Sequence, residues 1–273
     1  MKLIVSGGLG NQMFIYSLYY VMKSEGVKIK LDASLYNYKK MHNGYELTNV
    51  FGTDIPYMTS NVLYINWLRF LLATGLFLKK DKFKYDDKIY TTKIPYLWGY
   101  WQSDMYFIKY RSKLLEVFKF KNLSIRNLNI SNKMERENSV SLHIRRGDYM
   151  NIPIYLGICT EEYYFKAVEY IKNNVISPHF YIFSNDIQWS YKFAEKLNIK
   201  YTIIEHNTGA DSFQDMYLIS KCKHNIIANS SFSWWGAYLN RNHAKIVIAP
   251  KKWDNTDTES YNNIRVPQSW IRL

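Results

Sequence analysis

The feature that most narrows the fold is an unbroken alternation of strand and helix patterns through residues 140–249. Val140–Ile144, Phe180–Ser184, Tyr201–Ile204, His224–Ala228 and Ile246–Ala249 are short segments of strand length. Between them, Glu161–Asn174, Gln188–Leu197, Phe213–Lys221 and Ser233–Leu239 carry apolar residues at helical spacing. Thr160 is placed to cap the first of these helices, and Glu161 and Glu162 suit the positive end of its dipole. Strands separated by helices pair through right-handed crossovers, so this half predicts a parallel sheet covered on both faces.

The start of the chain repeats the logic once. Leu3–Ser6 predicts a strand and Gly7-Gly8-Leu9-Gly10 a glycine loop. The spacing of Met13, Phe14, Leu18, Val21 and Met22 then predicts a helix with Asn11 near its N-terminus, and Val27–Leu31 a second strand ending at Asp32. Residues 35–130 are aromatic and basic without clear periodicity. The polar run Ser131-Asn132-Lys133-Met134-Glu135-Arg136-Glu137-Asn138 reads as a linker, dividing the chain into domains 1–136 and 137–273. No internal repeat or low-complexity tract is visible.

Composition excludes some classes and leaves others open. Hydrophobic residues make up 47% with only 12 Gly and 6 Pro, so a large core is available and disorder is not expected. The 25 Tyr and 8 Trp suit a sugar-lining cleft, where rings stack on C–H faces, although an AT-rich genome yields the same excess. The net charge of +13 fits nucleic acid, an anionic membrane surface or a phosphorylated substrate. Lysines fall in scattered pairs (Lys39-Lys40, Lys79-Lys80, Lys251-Lys252) without an arginine-rich arm, which weighs against nucleic acid. Cys159 and Cys222 lack any metal-ligand spacing, arguing against structural zinc and fitting a reducing cytoplasm. Glycine at positions 7 and 8 comes too early for a signal peptide. Val62–Leu78 is the one long apolar stretch, but Asn66 and Arg69 interrupt it and it is short for a span. A core or interfacial helix is expected there, in a cytoplasmic protein that is soluble or peripherally bound at the inner face of the membrane.

Chemistry concentrates where strands end, which is where open parallel sheets bind ligands. His143-Ile144-Arg145-Arg146-Gly147-Asp148-Tyr149 closes one strand. Two arginines there can fork onto a diphosphate, and Gly147 would let the backbone turn so that Asp148 faces the same cleft. Asn229-Ser230-Ser231-Phe232-Ser233-Trp234-Trp235-Gly236 follows another strand and opens a helix, a natural anion site as well as an ordinary N-cap sequence. Asp186, after Phe183-Ser184-Asn185, and Asp215, after Asp211-Ser212-Phe213-Gln214, can meet a nucleoside or cap a helix. The N-terminal glycine loop is neither a dinucleotide fingerprint nor a Walker loop, and no GxSxG is present. There is no DxD carboxylate pair for a metal-bound nucleotide sugar. Asp257-Thr258-Glu259 comes nearest, so no metal or other cofactor is expected.

Several of these segments together, in order, resemble the α-1,2-fucosyltransferase family of inverting enzymes that use GDP-fucose. They are Gly7–Phe14, His143–Tyr149, Gly157-Ile158-Cys159-Thr160 through Tyr164, Phe183–Asp186, and Asp215–His224 continuing into Asn229–Gly236. Ile15 departs from the Gln expected in much of the family. The resemblance implies two facing Rossmann-like α/β domains (GT-B-like), with the acceptor mainly on 1–136 and the donor on 137–273. It implies that Arg145, supported by Arg146, holds the diphosphate, that Ser230, Ser231 and Ser233 contact phosphate beside Asn229 and Phe232, and that Asp186 and Asp215 contact the nucleoside. Gly10, Asn11 and Gln12 would face the fucose or the acceptor, a galactose-containing oligosaccharide or lipid-linked glycan. A base would assist the attacking hydroxyl, with Asp148 the first candidate and His143 the second. A fucosyltransferase of another linkage, a non-catalytic sugar-binding protein and a nucleic-acid-binding protein are the rival readings.

Overall fold

The structure, a computed structural model, describes residues 1–39, 41–81, 84–256 and 264–273. It divides into two compact units, Met1–Lys121 and Asn122–Leu273.

The first unit runs β1 (Lys2–Ile4), α1 (Leu9–Ser24), β2 (Lys30–Asp32), α2 (Leu35–Tyr38), α3 (Leu47–Phe51), α4 (Val62–Thr74), β3 (Leu78–Lys80), β4 (Tyr96–Trp98) and α5 (Arg111–Val117). Its four strands lie in the order β2-β1-β4-β3, all parallel. The expected face of α1 is buried (Met13, Phe14, Leu18, Val21, Met22), as is Ile15. The helix starts at Leu9, two residues before Asn11, because Gly8 occupies its N-cap. Gly7, at φ +82°, holds a left-handed turn that a side chain would strain. The apolar stretch from Val62 is a helix only to Thr74. Gly75, at φ +74°, ends it and lets Leu78 open β3.

The second unit runs α6 (Ile125–Arg136), β5 (Ser139–Ile144), α7 (Glu161–Asn174), β6 (His179–Ser184), α8 (Ile187–Leu197), β7 (Tyr201–Ile204), α9 (Phe213–Lys221), β8 (His224–Ile226), α10 (Ser231–Leu239), β9 (Val247–Ala249) and β10 (Ile271–Arg272). The expected parallel sheet is present, in the order β10-β9-β8-β5-β6-β7. The chain therefore winds outward from β5 to one edge, then returns to β8 on the other side. The crevice beside β5 and β8 is the topological switch point of a doubly wound fold.

Strand β5 shows why the sheet needs cover on both faces. Val140, Leu142 and Ile144 join the core formed with Tyr163, Tyr164, Ala167, Val168 and Ile171 of α7 and Phe193, Ala194 and Leu197 of α8. The alternate residues Ser139, Ser141 and His143 are equally buried but polar. Ser139 Oγ donates to the Met134 carbonyl, and Ser141 Oγ accepts from Asn225 Nδ2 at 2.8 Å. The polar run from Ser131, expected as a linker, is mostly the C-terminal half of α6. That helix packs against α9 and belongs to the second unit, so the division falls after Lys121 rather than after Arg136. Helix α10 starts at Ser231 rather than Ser233, because Ser230 caps it by accepting from the Phe232 N–H at 3.3 Å.

Candidate functional site

Arg145 and Arg146 leave β5 toward different neighbours. Arg145 pairs with Asp148 (Nη2 to Oδ2, 2.8 Å) and lies 5.1 Å from the Tyr149 ring centre. The Tyr149 hydroxyl donates to the Asn229 carbonyl at 3.3 Å, joining the β5 loop to the β8 loop across the switch point. Arg146 instead lies over the Trp189 ring at 4.3 Å, and its Nε approaches Asp186 Oδ2 to 3.5 Å without a hydrogen bond. Arg145 Nε is also buried without a hydrogen-bond partner.

Asp148 accepts from Asn185 Nδ2 at 3.3 Å on one oxygen while the other holds Arg145. Gly147 is needed for a different reason than the sequence suggested. Its φ is not positive; a Cβ there would meet Asn185 Nδ2 at 2.3 Å. The glycine thus admits Asn185, whose Oδ1 accepts from the Arg146 N–H at 3.0 Å. Asn185 is the organising residue that sequence reasoning left without a role, although it lies inside the Phe183–Asp186 cluster.

The expected phosphate cradle is only partly available. Ser231 and Phe232 are half-buried in the first turn of α10, whose leading N–H groups favour an anion. Ser230 Oγ is spent on the cap, and Ser233 is fully buried with its hydroxyl on the Ala228 and Ser230 carbonyls. Asn229 is buried too: its Nδ2 donates to the Trp253 carbonyl at 3.0 Å and its Oδ1 accepts from Cys159 Sγ at 3.4 Å. These three side chains build the loop rather than offer free groups. Burial pushes the Cys159 thiol up to about 12, so it stays protonated.

Asp186 is chiefly a helix cap, accepting from the Trp189 N–H at 3.2 Å. Asp215 sits at the start of α9 in a polar cluster. Asn207 Nδ2 donates to it at 2.7 Å, and Asn127, Gln214 and His206 complete the network. Burial pushes the Asp215 carboxyl up to about 7. His143 is enclosed, with its ring 5.9 Å from that of Phe232. Burial, with the Arg145 charge adding to it, lowers its pKa to about 3. It is a neutral packing residue and a poor base.

At the carboxyl ends of β1 and β4 the first unit has a switch point of its own. Asn11 Oδ1 accepts from Gln102 Nε2 at 2.7 Å. Gln12 is fully buried: its Nε2 donates to the Gly7 and Gly44 carbonyls and its Oε1 accepts from the Glu46 N–H. With its polar atoms engaged in these bonds, Gln12 fixes the glycine loop. Gly10 is likewise buried in the first turn of α1. Gln102 was missed because it follows a three-residue strand in the stretch without periodicity; Gly99 after β4 was the available signal. Among the described residues no three His, Cys, Asp or Glu side chains are grouped to hold a metal. Asp257-Thr258-Glu259 lies outside them.

The model of glycosyl transferase family 11 matches residues 4–273. An α-1,2-colitosyltransferase of Escherichia coli is 32% identical over 98% of this chain and 97% of its own length. The O-antigen biosynthesis glycosyltransferase WbnK, also of Escherichia coli, is 33% identical over 98% of this chain and 99% of its own. Among solved structures, fucosyltransferase NodZ from Bradyrhizobium superposes with a TM-score of 0.50 at 12% identity, covering 86% of this chain and 91% of that one. That likeness concerns the fold, which is of the GT-B type: two α/β units, each on a parallel sheet.

Proposed function

The chain belongs to glycosyl transferase family 11, and on that premise we propose that it transfers L-fucose from GDP-β-L-fucose, with inversion, to the 2-hydroxyl of a galactose-containing glycan. The observation that carries the donor assignment is the placement of Arg145 and the first turn of α10 at the β5/β8 switch point. An inverting transfer passes through an oxocarbenium-like state while negative charge builds on the departing diphosphate. A guanidinium and helix N–H groups aimed at that charge stabilise the transition state more than the ground state. These groups carry the role that a metal plays elsewhere, so no metal is required.

Asp148 has two successive tasks in this scheme. In the free enzyme it holds Arg145 in place. Once the diphosphate takes over Arg145, the released carboxylate can accept the proton of the attacking hydroxyl late in the step. The acceptor assignment rests on Asn11 and Gln102, which present amide groups at the switch point of the first unit. A relative named for O-antigen biosynthesis supports a glycan acceptor, either free or carried on a lipid.

The colitosyltransferase relative supports a second reading of the donor. Colitose is fucose without its 3-hydroxyl. A site that hydrogen-bonds this hydroxyl rejects the deoxy sugar strongly, whereas an apolar wall there discriminates weakly. Purified chain is therefore offered GDP-fucose and GDP-colitose separately, with a β-galactoside acceptor and EDTA, and the product linkage is read by NMR. An α-1,2-linked fucoside formed at undiminished rate in EDTA is expected. Transfer of colitose alone would overturn the donor, another linkage would overturn the acceptor position, and activity restored only by magnesium or manganese would overturn the metal-free scheme.

A further inference from the structure

The apolar stretch beginning at Val62 takes no part in the chemistry above. The inner face of α4 is ordinary: Ile65, Leu68 and Leu71 are buried, the last two packed with Ile4, Leu35 and Leu78. The outer face is where a helix on a soluble surface carries charge. Here it carries Leu63, Trp67 and Phe70, spaced i, i+4, i+7 on one stripe, with Val62 beside them and Leu76 and Phe77 in the turn that follows. Leu63 is 82% exposed and Phe77 63%, and the Trp67 and Phe70 rings stack at 5.6 Å. Six large apolar side chains grouped in this way exceed the scattered single residues of a normal surface.

Charge says what covers them. From Ile55 to Lys80 the sequence contains no Asp or Glu, while Arg69, Lys79 and Lys80 are all cationic. Lys79 is balanced by Asp86 at 2.7 Å. Arg69 lies over the Tyr38 ring at 4.6 Å and donates to Asn66, and Lys80 donates to the Leu72 carbonyl, so neither of these contacts neutralises a charge. Apolar side chains with aromatic rings and unbalanced cations match the headgroup layer of an anionic bilayer: rings settle at the interface and cations meet phosphates. With thirteen residues α4 is about 20 Å long, too short to span, and no described helix is long and apolar enough to cross a membrane. A second copy fits less well, because pairing two chains of net charge +13 through a cationic face brings like charges together.

We propose that the outer face of α4 and the turn after it dock this protein, in the plane of the membrane, on an anionic lipid surface. The inference is independent of the donor and acceptor assignments. Its test is flotation of the full chain with neutral phosphatidylcholine vesicles and with vesicles containing about one-third phosphatidylglycerol, at low and high salt. Binding to the anionic vesicles alone, weakened by salt, is expected. The exposed triple variant Leu63→Ser, Trp67→Ser, Phe70→Ser is expected to bind at least about tenfold more weakly, while keeping its melting temperature and nucleotide affinity. Arg69→Glu is expected to weaken binding with the apolar face intact. Equal binding to neutral vesicles, or a triple variant that binds like the parent, would overturn the proposal. So would a dimer, seen by sedimentation, that the triple variant dissolves.

Discussion

Arg145 and Arg146 are adjacent in sequence but not equivalent, because successive residues leaving a strand point to opposite sides. Arg146 is stacked on Trp189 beside Asp186, whereas Arg145 is held by Asp148 and lies near Tyr149, whose hydroxyl reaches the β8 loop at Asn229. Arg145→Ala is therefore expected to lower kcat/KM by about a hundredfold or more, the usual effect of losing an ionic contact that strengthens in the transition state. Arg145→Lys should recover little, since an ammonium lacks the fork, and Arg146→Ala should cost less. Steady-state kinetics on the three variants check this, and near-normal turnover in Arg145→Ala would contradict it. Asp148→Asn separates the two tasks of that carboxylate: turnover lost with GDP affinity unchanged marks a base, whereas parallel loss of both marks a residue that only positions Arg145.

Asp215 gives a residue-level prediction with a definite sign. Its carboxyl is held up to about 7 by burial, against an ordinary value of 3.8. The folded state thus prefers the protonated form. The stability this contributes is complete below the ordinary value and is lost as the pH rises through about 7. Asp215→Asn stays neutral and can still accept from Asn207. It is expected to be more stable than the parent at pH 8 by on the order of 1–3 kcal/mol, with no gain at pH 4. Thermal melts of both proteins across this range are the measurement; parallel curves would show that Asp215 is not the strained group.

Among the elements, α10 is the one whose position matters most, and Gly236 sets how closely it approaches α9. A Cβ there would fall 2.4 Å from Ile219 Cγ2 and 2.9 Å from its Cβ, and Ile219 is fully buried. Alanine would gain up to about 1 kcal/mol of helix propensity but overpack the contact at about 1–3 kcal/mol. Gly236→Ala is expected to be destabilised overall and, because α10 shifts, to bind GDP more weakly. Denaturant melts and nucleotide titration read the two effects, and a variant as stable as the parent would contradict the close packing.

Elements were legible where burial follows the pattern. The bounds of α7, α9 and β7 agree with those expected, and the two helices bury their apolar residues (Tyr163, Tyr164, Ala167, Val168 and Ile171 in α7; Phe213, Met216, Leu218 and Ile219 in α9). Helix α6 was hidden because its pattern is inverted. Ile125 and Leu128 are exposed, while Asn127 and Ser131 are buried and satisfied by Gln214, Asn207 and Tyr217. The site was legible for a related reason. Charged and hydroxyl residues at strand ends stand out once the strands are found, as Arg145, Asp186 and Ser230 do, although the last two are engaged as helix caps. What patterning does not reveal is which polar atoms are already spent. Gln12, Ser233 and Asn229 have the right chemistry, but their hydrogen bonds go to the fold.

At the scale of the whole molecule, one plan is used twice. Each unit starts with a central strand, winds to one side, and returns to the other, so each has a switch point at the carboxyl ends of two neighbouring strands: β1 with β4, and β5 with β8. Cationic side chains and a helix N-terminus mark the second of these, amide groups the first. The excess of 36 basic over 23 acidic residues suits two kinds of anionic partner, a nucleotide diphosphate and a lipid surface. The most direct measurement of the central claim is a crystal structure with GDP bound. The diphosphate is expected on the Arg145 guanidinium and the first-turn N–H groups of α10, with Asp148 released from Arg145. A diphosphate bound instead at the glycine loop after β1, with the Arg145–Asp148 pair intact, would contradict the assignment of the donor to the second unit.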